Sequence, residues 1–402
     1  MRFTKKHAEN EAHVTSTASK QDDQQAGYAY TPDKGVHHFS SDDGEGADKK
    51  RWGRGKKIFF GFLAVFLLVG AFVGWKLLAN EVKVFGWKGI WSLVRPGKLK
   101  GESRGYVNIL LAGNSADDPG HGGANLTDSI MLLSVNTKDN TAFMLSVPRD
   151  LYVNIPGFDY AKINEAYQDG EQSNFSENGY APGGMGLLQK VVSDNLDVPI
   201  DYHALVDYAA VKGAVDAVGG ITVTIASDDE RGLYDPSPDL ANDRKPLVSL
   251  NNGKQTLDGT AALGLARARG STYGSYGYLN SDFTRTENQR LILLGLKDKA
   301  TSLGTLANPF KLAGLADSFG NNVKTDMTLG QVRRLYQLTK KIPSDKITSV
   351  GLNDINDKNL LSNYQTRLGQ SALIPAKGVD DYSDIQAYIK SLLPAVQPAA
   401  SE

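Results

Sequence analysis

The sequence predicts an α/β protein with a mixed central sheet covered by helices on both faces, preceded by one transmembrane helix and a disordered tail. Three observations predict it. Strand-length apolar runs alternate with amphipathic helical stretches from Val107 onward. Two adjacent strands join through a short turn, so the sheet cannot be purely parallel. Finally, the unbroken run from Ile58 to Trp75 carries no charge.

The chain begins with a stretch that shows no apolar periodicity. Gln, Asp, Ser, Thr and Gly dominate residues 1–57, and such a composition buries too little surface to offset the entropy of ordering. Five basic residues face nine acidic ones up to Asp48. Then Lys49, Lys50, Arg51, Arg54, Lys56 and Lys57 follow with no acid among them.

The run IFFGFLAVFLLVGAFVGW comes next and spans roughly 27 Å as a helix, close to the hydrocarbon thickness of a bilayer. A buried core helix would not be apolar on all faces after a basic cluster. A cleaved signal peptide would not have so long a polar stretch before it. The basic cluster outweighs Lys76, Lys83 and Lys88 beyond the span, which places the N-terminus in the cytoplasm and beside anionic headgroups. The expected organisation is a cytoplasmic tail (1–57), a membrane helix (58–78), an extracellular stalk (79–104), an α/β domain (105–305), a C-terminal α/β extension packed on it (306–395) and a disordered end (396–402).

Within the α/β domain, VNILLAG reads as a buried strand. DSIMLLSVN pairs with TAFMLSV through Lys138-Asp139-Asn140. GGMGLLQKVVSDNL is an amphipathic helix, DYHALVDY a strand, and AAVKGAVDAV a helix stopped by Gly219-Gly220 before the strand ITVTI. A loop-rich insert covers roughly Ala226 to Leu247. Helices are expected over Asp282–Leu303, about Thr328–Lys341 and near Ser383–Leu393, with a short strand near Ile347–Leu352.

Composition excludes several chemistries. The chain has no cysteine, which removes disulfides, Cys-liganded metals and thiol nucleophiles. Four of the six histidines (His7, His13, His37, His38) lie in the tail, leaving His121 and His203, too few for a His/Cys zinc site. His203, inside a strand, reads as a packed or hydrogen-bonded residue. No G-x-S-x-G elbow, Walker loop or complete G-x-G-x-x-G is present. Lys plus Arg number 44 against 45 Asp plus Glu. Removing the tail and basic cluster leaves 33 against 36, a balance without general affinity for polyanions, so nucleic acid is not an expected partner.

What remains is arginine and aspartate in distinctive places. Pro148-Arg149-Asp150 ends an apolar strand. Arg267 and Arg269 follow an Ala/Leu-rich helix that Asp258 can cap, and in an extended segment the i, i+2 spacing puts both on one face. Asp282, Arg285 and Gln289 share one face of a helix, with Ser281 as its expected N-cap. Guanidinium groups are planar, permanently charged and bind two oxygens in parallel, which suits phosphate. Carboxylates holding a divalent cation would complete a phosphoryl-transfer site. Each motif alone also describes ordinary surface ion pairing.

At these residues the chain resembles the LytR-CpsA-Psr family, over about Tyr106 to Ser302 and more weakly into GQSALIPAKGVDDYSDIQAYIK. The pieces that carry the resemblance stand in order: VNILLAG, LTDSIMLLSVN, MLSVPRDLYVNIPG, AKINEAY, DYHALVDY, VDAVGGITV, LDGTAALGLARARG and SDFTRTENQR. The resemblance implies a membrane-anchored phosphotransferase in a Gram-positive envelope. It would move a teichoic-acid or capsule-like glycopolymer from a polyprenyl-pyrophosphate carrier onto peptidoglycan, assisted by Mg²⁺ or Mn²⁺.

Position by position, the resemblance implies that Asp128 and Asp150 hold the metal. Asp150, Arg149, Arg267 and Arg269 are implied as catalytic residues. Arg149, Lys162, Arg267, Arg269, Arg285 and Gln289 would hold the pyrophosphate, and Asn164, Asp282, Ser115 and Asp117 are further site candidates. Two places depart from the family pattern. Ser115 and Asp117 stand where the first motif has Asp and Arg, and Leu126 stands near an expected Arg. These departures favour an alternative class, a non-catalytic binder of wall polymer or lipid pyrophosphate; a lipid-pyrophosphate hydrolase, with water in place of a sugar hydroxyl as acceptor, is a third.

Overall fold

The computed structural model describes residues 97–116, 125–239, 244–278, 281–302, 322–352 and 359–393. The tail, the apolar run at Ile58–Trp75, most of the expected stalk, the expected disordered end, His121 and Asp117 lie outside them. No helix among the described residues is long and apolar enough to cross a membrane.

Strands β1 (Tyr106–Gly113), β2 (Ser129–Asn136) and β3 (Thr141–Ser146) form an antiparallel meander. The β2–β3 turn is set by Asn136, whose Oδ1 accepts from the backbone N–H of Lys138 and Asp139 at 2.9 and 3.0 Å. A hairpin of β4 (Tyr152–Ile155) and β5 (Asp159–Lys162) follows, then helices α1 (Ala166–Ser173) and α2 (Gly184–Leu196). Glycines let these two helices touch: a Cβ on Gly170 would lie 2.7 Å from the Cα of Gly184.

Strand β6 (Tyr202–Val206) returns parallel to β1. Helix α3 (Tyr208–Ala217) starts at Asp207, whose carboxylate accepts from Ala210 N–H at 2.8 Å. Gly219 and Gly220 turn the chain at φ 78° and 84° into β7 (Ile221–Ile225). Next come the hairpin of β8 (Leu233–Asp239) and β9 (Lys245–Leu250), β10 (Gly253–Leu257), which pairs with β7, and α4 (Gly259–Arg267). Helix α5 (Ser281–Thr301), β11 (Val323–Thr325), α6 (Leu329–Thr339), β12 (Ile347–Gly351), the hairpin of β13 (Leu361–Gln365) and β14 (Ser371–Pro375), and α7 (Ser383–Leu392) complete the order.

The main sheet runs β11-β6-β1-β2-β3-β12. Alternation along its strands gives two apolar faces. Leu110, Leu132 and Leu145 pack with α2 and α7 on one side. Ile109 and Val135 pack with α6 on the other, the side that α5 also covers.

Four sequence expectations change. The stalk reading ends early: Leu99 is buried in the core, Gly97 N–H donates to the Gly330 carbonyl at 3.3 Å, and Glu102 pairs with Arg334. Those partners belong to α6, at the far end of the chain, where local pattern cannot see them. The extension at 306–395 is part of the sheet itself, since β11 and β12 are its two edge strands. The insert at 226–247 is mostly hairpin, because β8 pairs with β9 across a register shift between Asp235 and Pro238 that hides the alternation. Helix α5 already includes Ser281, so the expected cap falls one position too late.

Candidate active site

The sheet directions decide where the chemistry gathers. β1, β3, β6 and β12 run the same way and β2 runs against them, so the carboxyl ends of the first four meet the start of β2 at one edge. Asn114, Asp128, Arg149 and Asp207 all stand at that edge. Helices α4 and α5 add residues from across the sheet.

An ion-pair network joins most of the expected site residues. Arg149 Nη1 donates to Asp128 Oδ1, and Arg149 Nε lies 3.6 Å from Asp150 and 3.8 Å from Asp282. Lys162, at the end of β5, reaches Asp150 at 2.8 Å. Asp282 Oδ1 also lies 3.5 Å from Arg269 Nε and 2.8 Å from Arg285 Nη2. Arg285 then donates to the Asp128 carbonyl at 3.0 Å. Burial pulls the Arg285 guanidinium down to about 10, against the attraction of Asp282, with Arg269 and Arg149 adding to the lowering. Burial also works against the Arg149 charge, but the hydrogen bond and charge of Asp128, with Asp150 and Asp282, raise its pKa overall.

Beside this network opens a cavity of about 390 Å³. Its wall is apolar, built from Leu111, Met131, Val206, Val211, Leu263, Ile292 and Leu293 between the sheet, α3, α4 and α5. Its polar side carries Asp128, Arg267, Arg269, Arg285 and Gln289. Arg267 and Arg269 therefore share one cleft, as the i, i+2 spacing predicts, because the helix ends at Arg267 and Ala268 is extended. The Arg267 guanidinium lies 4.9 Å over the Tyr208 ring and 3.9 Å from Asp239. Gln289 braces the two walls: its Oε1 accepts from Ser129 Oγ at 2.8 Å and its Nε2 donates to the Ala266 carbonyl at 3.0 Å.

Other expected residues fall elsewhere. Arg149, Asp150 and Lys162 stand just outside the cavity wall, linked to it through Asp282 and Asp128. Asn164 acts through its backbone, accepting from Thr127 N–H at 3.2 Å and donating to the Arg149 carbonyl at 3.3 Å. It thereby clasps the two loops that carry Asp128 and Arg149. Ser115 is fully buried and does not line the cavity, where Asn114 stands instead. His203 is 7% exposed with Asp326 at 3.5 Å, a packed residue that does not line the cavity.

Sequence reading missed Tyr208, Asp239 and Asn114. The signal for Tyr208 and Asn114 was their place just after β6 and β1, at the edge where sites form in such sheets. Asp239 had none, since it reaches Arg267 only through the β8–β9 hairpin. Among the described residues no three His, Asp or Glu side chains gather as a metal cluster. The acidic donors nearest to such a role are Asp128 and Asp150, both held on Arg149.

A mixed α/β domain that joins an apolar cavity to a cluster of converging guanidinia is built to hold an amphipathic anion. The chain belongs to the LytR_cpsA_psr family, whose model matches residues 88–373. It is 31% identical over 218 residues to the polyisoprenyl-teichoic acid–peptidoglycan teichoic acid transferase TagT of Bacillus subtilis, covering 54% of this chain and 58% of that one. To the TagU transferase of Enterococcus faecalis it is 28% identical, over 70% of this chain and 83% of the relative. The fold matches a solved structure of TagT bound to LIIa-WTA with a TM-score of 0.53 at 25% identity, over 74% and 94% of the two chains. The sequence match thus spans less than two thirds of the length of the B. subtilis TagT relative.

Proposed function

We propose that this chain is a membrane-anchored phosphotransferase that moves a teichoic-acid or capsule-like glycopolymer from a polyprenyl-pyrophosphate carrier onto peptidoglycan. The observation that carries the reading is the meeting of Arg267, Arg269 and Arg285 at the polar side of an apolar cavity. A lipid pyrophosphate has those two halves. The names of the TagT and TagU relatives agree with it. So does the uncharged run at Ile58–Trp75, which would hold the domain beside the leaflet that carries the donor.

In this reading the prenyl chain enters among Leu111, Leu263 and Ile292, and the pyrophosphate rests on Arg267, Arg269 and Arg285. A sugar hydroxyl of the acceptor attacks the phosphorus nearest the donor sugar. The new P–O bond forms as the bond to the polyprenyl phosphate breaks, and that phosphate leaves with the electron pair. The hydroxyl proton passes to Asp150, whose part-exposed carboxylate stands just outside the cavity wall. Arg149 keeps Asp128 and Asp150 aligned, and the arginines offset the charge that grows on the equatorial oxygens.

Asp128 and Asp150, the two carboxylates beside Arg149, are the oxygen donors that suit a hard divalent cation such as Mg²⁺, which takes one or two protein carboxylates and completes its shell with substrate oxygens and water. Asp128 and Asp150 would hold it, and when bound it would supply charge neutralisation at the pyrophosphate.

The test is transfer by the full-length chain in detergent, given lipid-linked glycopolymer, peptidoglycan and Mg²⁺. Polyprenyl phosphate should be released, and Arg267→Ala should lower the rate by about a hundredfold or more. Binding without turnover in the unsubstituted chain would overturn the transferase reading. Release that is indifferent to acceptor would make the protein a hydrolase.

A further inference from the structure

The described domain begins at Gly97, at the edge of the sheet opposite the cleft. Gly97 N–H donates to the Gly330 carbonyl near the start of α6, and Lys100 N–H donates at 2.8 Å to the hydroxyl of Tyr202, the first residue of β6. Gln331 of α6 reaches the same hydroxyl at 3.0 Å. Leu338 and Ile342 share a core with Val107 near the start of β1, Val135 near the end of β2 and Ala142 near the start of β3. Helix α6 thus packs at one end of these strands, and Asn114, Asp128 and Arg149 stand at the other. The eight residues of β1 hold the two edges roughly 25 Å apart.

The edge at Gly97 is basic. Val332, Leu335, Leu338 and Ile342 turn α6 and the turn after it toward the core. Helical spacing then sets Arg333, Arg334, Gln337, Lys340 and Lys341 on the other side. No acid occurs from Met327 to Lys341. Lys98, Lys100, Arg333, Lys340 and Lys341 are all exposed. The acids beside them are engaged: Glu102 pairs with Arg334, Asp201 with Arg104, and Asp326 accepts from the His203 N–H at 2.9 Å. A groove of about 430 Å³ opens between the entering segment and α6, lined by Gly97, Lys98, Glu102, Ser103, Arg334 and Gln337.

Charge alone would suit any polyanion, and the position of this face chooses among them. The 21 residues between Trp75 and Gly97 join the uncharged run to this edge. They add Lys76, Lys83, Lys88 and Arg95 against Glu81, with Trp87 and Trp91, residue types that favour a membrane interface. A donor polymer, by contrast, hangs from a pyrophosphate held at the opposite edge. A 21-residue connection can extend to roughly 70 Å, so attachment by itself leaves open which side of the domain meets the bilayer. The cations decide it.

We propose that the face carrying Lys98, Lys100, Arg333, Lys340 and Lys341 docks on anionic lipid headgroups, so that the domain stands on the leaflet with its arginine cleft turned toward the wall. This rests on the membrane-anchored part of the reading above and is independent of transfer.

The chain has no cysteine, so Gln337→Cys gives a fluorophore a unique position in the groove. The labelled full-length chain is reconstituted into phosphatidylcholine vesicles with or without phosphatidylglycerol, and quenching by a lipid with a nitroxide headgroup is measured. Quenching should rise with phosphatidylglycerol and fall back in high salt. Each lysine near the surface is worth roughly fivefold in docking, so replacing Lys98, Lys340 and Lys341 together by glutamine should weaken docking on the order of a hundredfold. That variant keeps the Glu102–Arg334 pair and the core beneath it. Equal quenching with and without phosphatidylglycerol, or in the triple variant, would overturn the proposal. A fluorophore that responds to soluble polyglycerol phosphate and ignores phosphatidylglycerol would give the face to a wall polymer instead. A full-length chain that does not float with phosphatidylcholine vesicles would sink the membrane anchor itself, which keeps the two failures apart.

Discussion

Asp282 and Arg285, one turn apart on α5, lie 2.8 Å from each other, and the same guanidinium donates at 3.0 Å to the Asp128 carbonyl just before β2. One buried arginine thus ties the helix face to the loop that presents Asp128. Arg285 is 3% exposed and its pKa is drawn down to about 10 by burial, so its charge is maintained at a desolvation cost.

Arg285→Met should therefore cost about 3 kcal/mol of stability, because Asp282 loses its shortest ion pair and the Asp128 carbonyl loses its donor. Arg285→Lys should recover part of the stability but little of the phosphate affinity, since an ammonium cannot span both acceptors at once. Urea unfolding and lipid-pyrophosphate binding report the two effects separately. Full affinity in the lysine variant would show that the guanidinium geometry is unimportant.

Gln289 bridges Ser129 on β2 and the Ala266 carbonyl that precedes Arg267, setting the width of the cleft. Gln289→Leu removes both hydrogen bonds and should cost about 1–2 kcal/mol. The larger effect falls on KM for the lipid donor, which should rise several-fold while kcat changes little. A drop in kcat with KM unchanged would argue that Gln289 touches the reacting phosphate itself.

Much of this arrangement was legible in sequence because it is local. The 0, 3, 7 spacing of Asp282, Arg285 and Gln289 follows from the helical period, and the Arg267–Arg269 pairing from an extended step after a helix end. The nonlocal part was hidden. Nothing near Arg290 announces that it joins α5 to two strands, donating to Ser146 Oγ at 2.7 Å and Ser349 Oγ at 2.8 Å. Likewise β12 is a short strand whose partner β3 lies in the first half of the chain, so its membership in the sheet depends on a contact that propensity cannot encode. The cavity was illegible for the same reason, since its apolar wall draws residues from strands and helices far apart in the chain.

His203 gives the fold a pH dependence of known sign. Burial lowers its pKa below the ordinary 6.5, with the Lys100 charge acting in the same direction and Asp326 opposing them. As pH falls through 6.5, the unfolded chain takes up a proton that the folded chain resists, so stability is full above that value and declines below it. The decline can approach about 1.4 kcal/mol per pH unit at its steepest. The urea midpoint measured from pH 7.5 to 5.5 should fall in the unsubstituted chain and fall less in His203→Gln. Parallel curves would assign the acid sensitivity to other groups.

Divalent-ion binding should depend on the substrate. Asp128 and Asp150 already face Arg149, and Asp150 also faces Lys162, so the negative charge that an ion would offset arrives with the pyrophosphate. Mg²⁺ alone should then leave the melting temperature within about 1 °C, whereas Mg²⁺ with polyprenyl pyrophosphate should raise it beyond the lipid alone. By linkage, the factor by which Mg²⁺ tightens the lipid equals the factor by which the lipid tightens Mg²⁺, so titrations in either order must agree. Asp128→Asn should abolish this coupling and leave lipid binding through Arg267 and Arg269 in place. A melting shift with Mg²⁺ alone, preserved in Asp128→Asn, would move the metal to a different set of ligands.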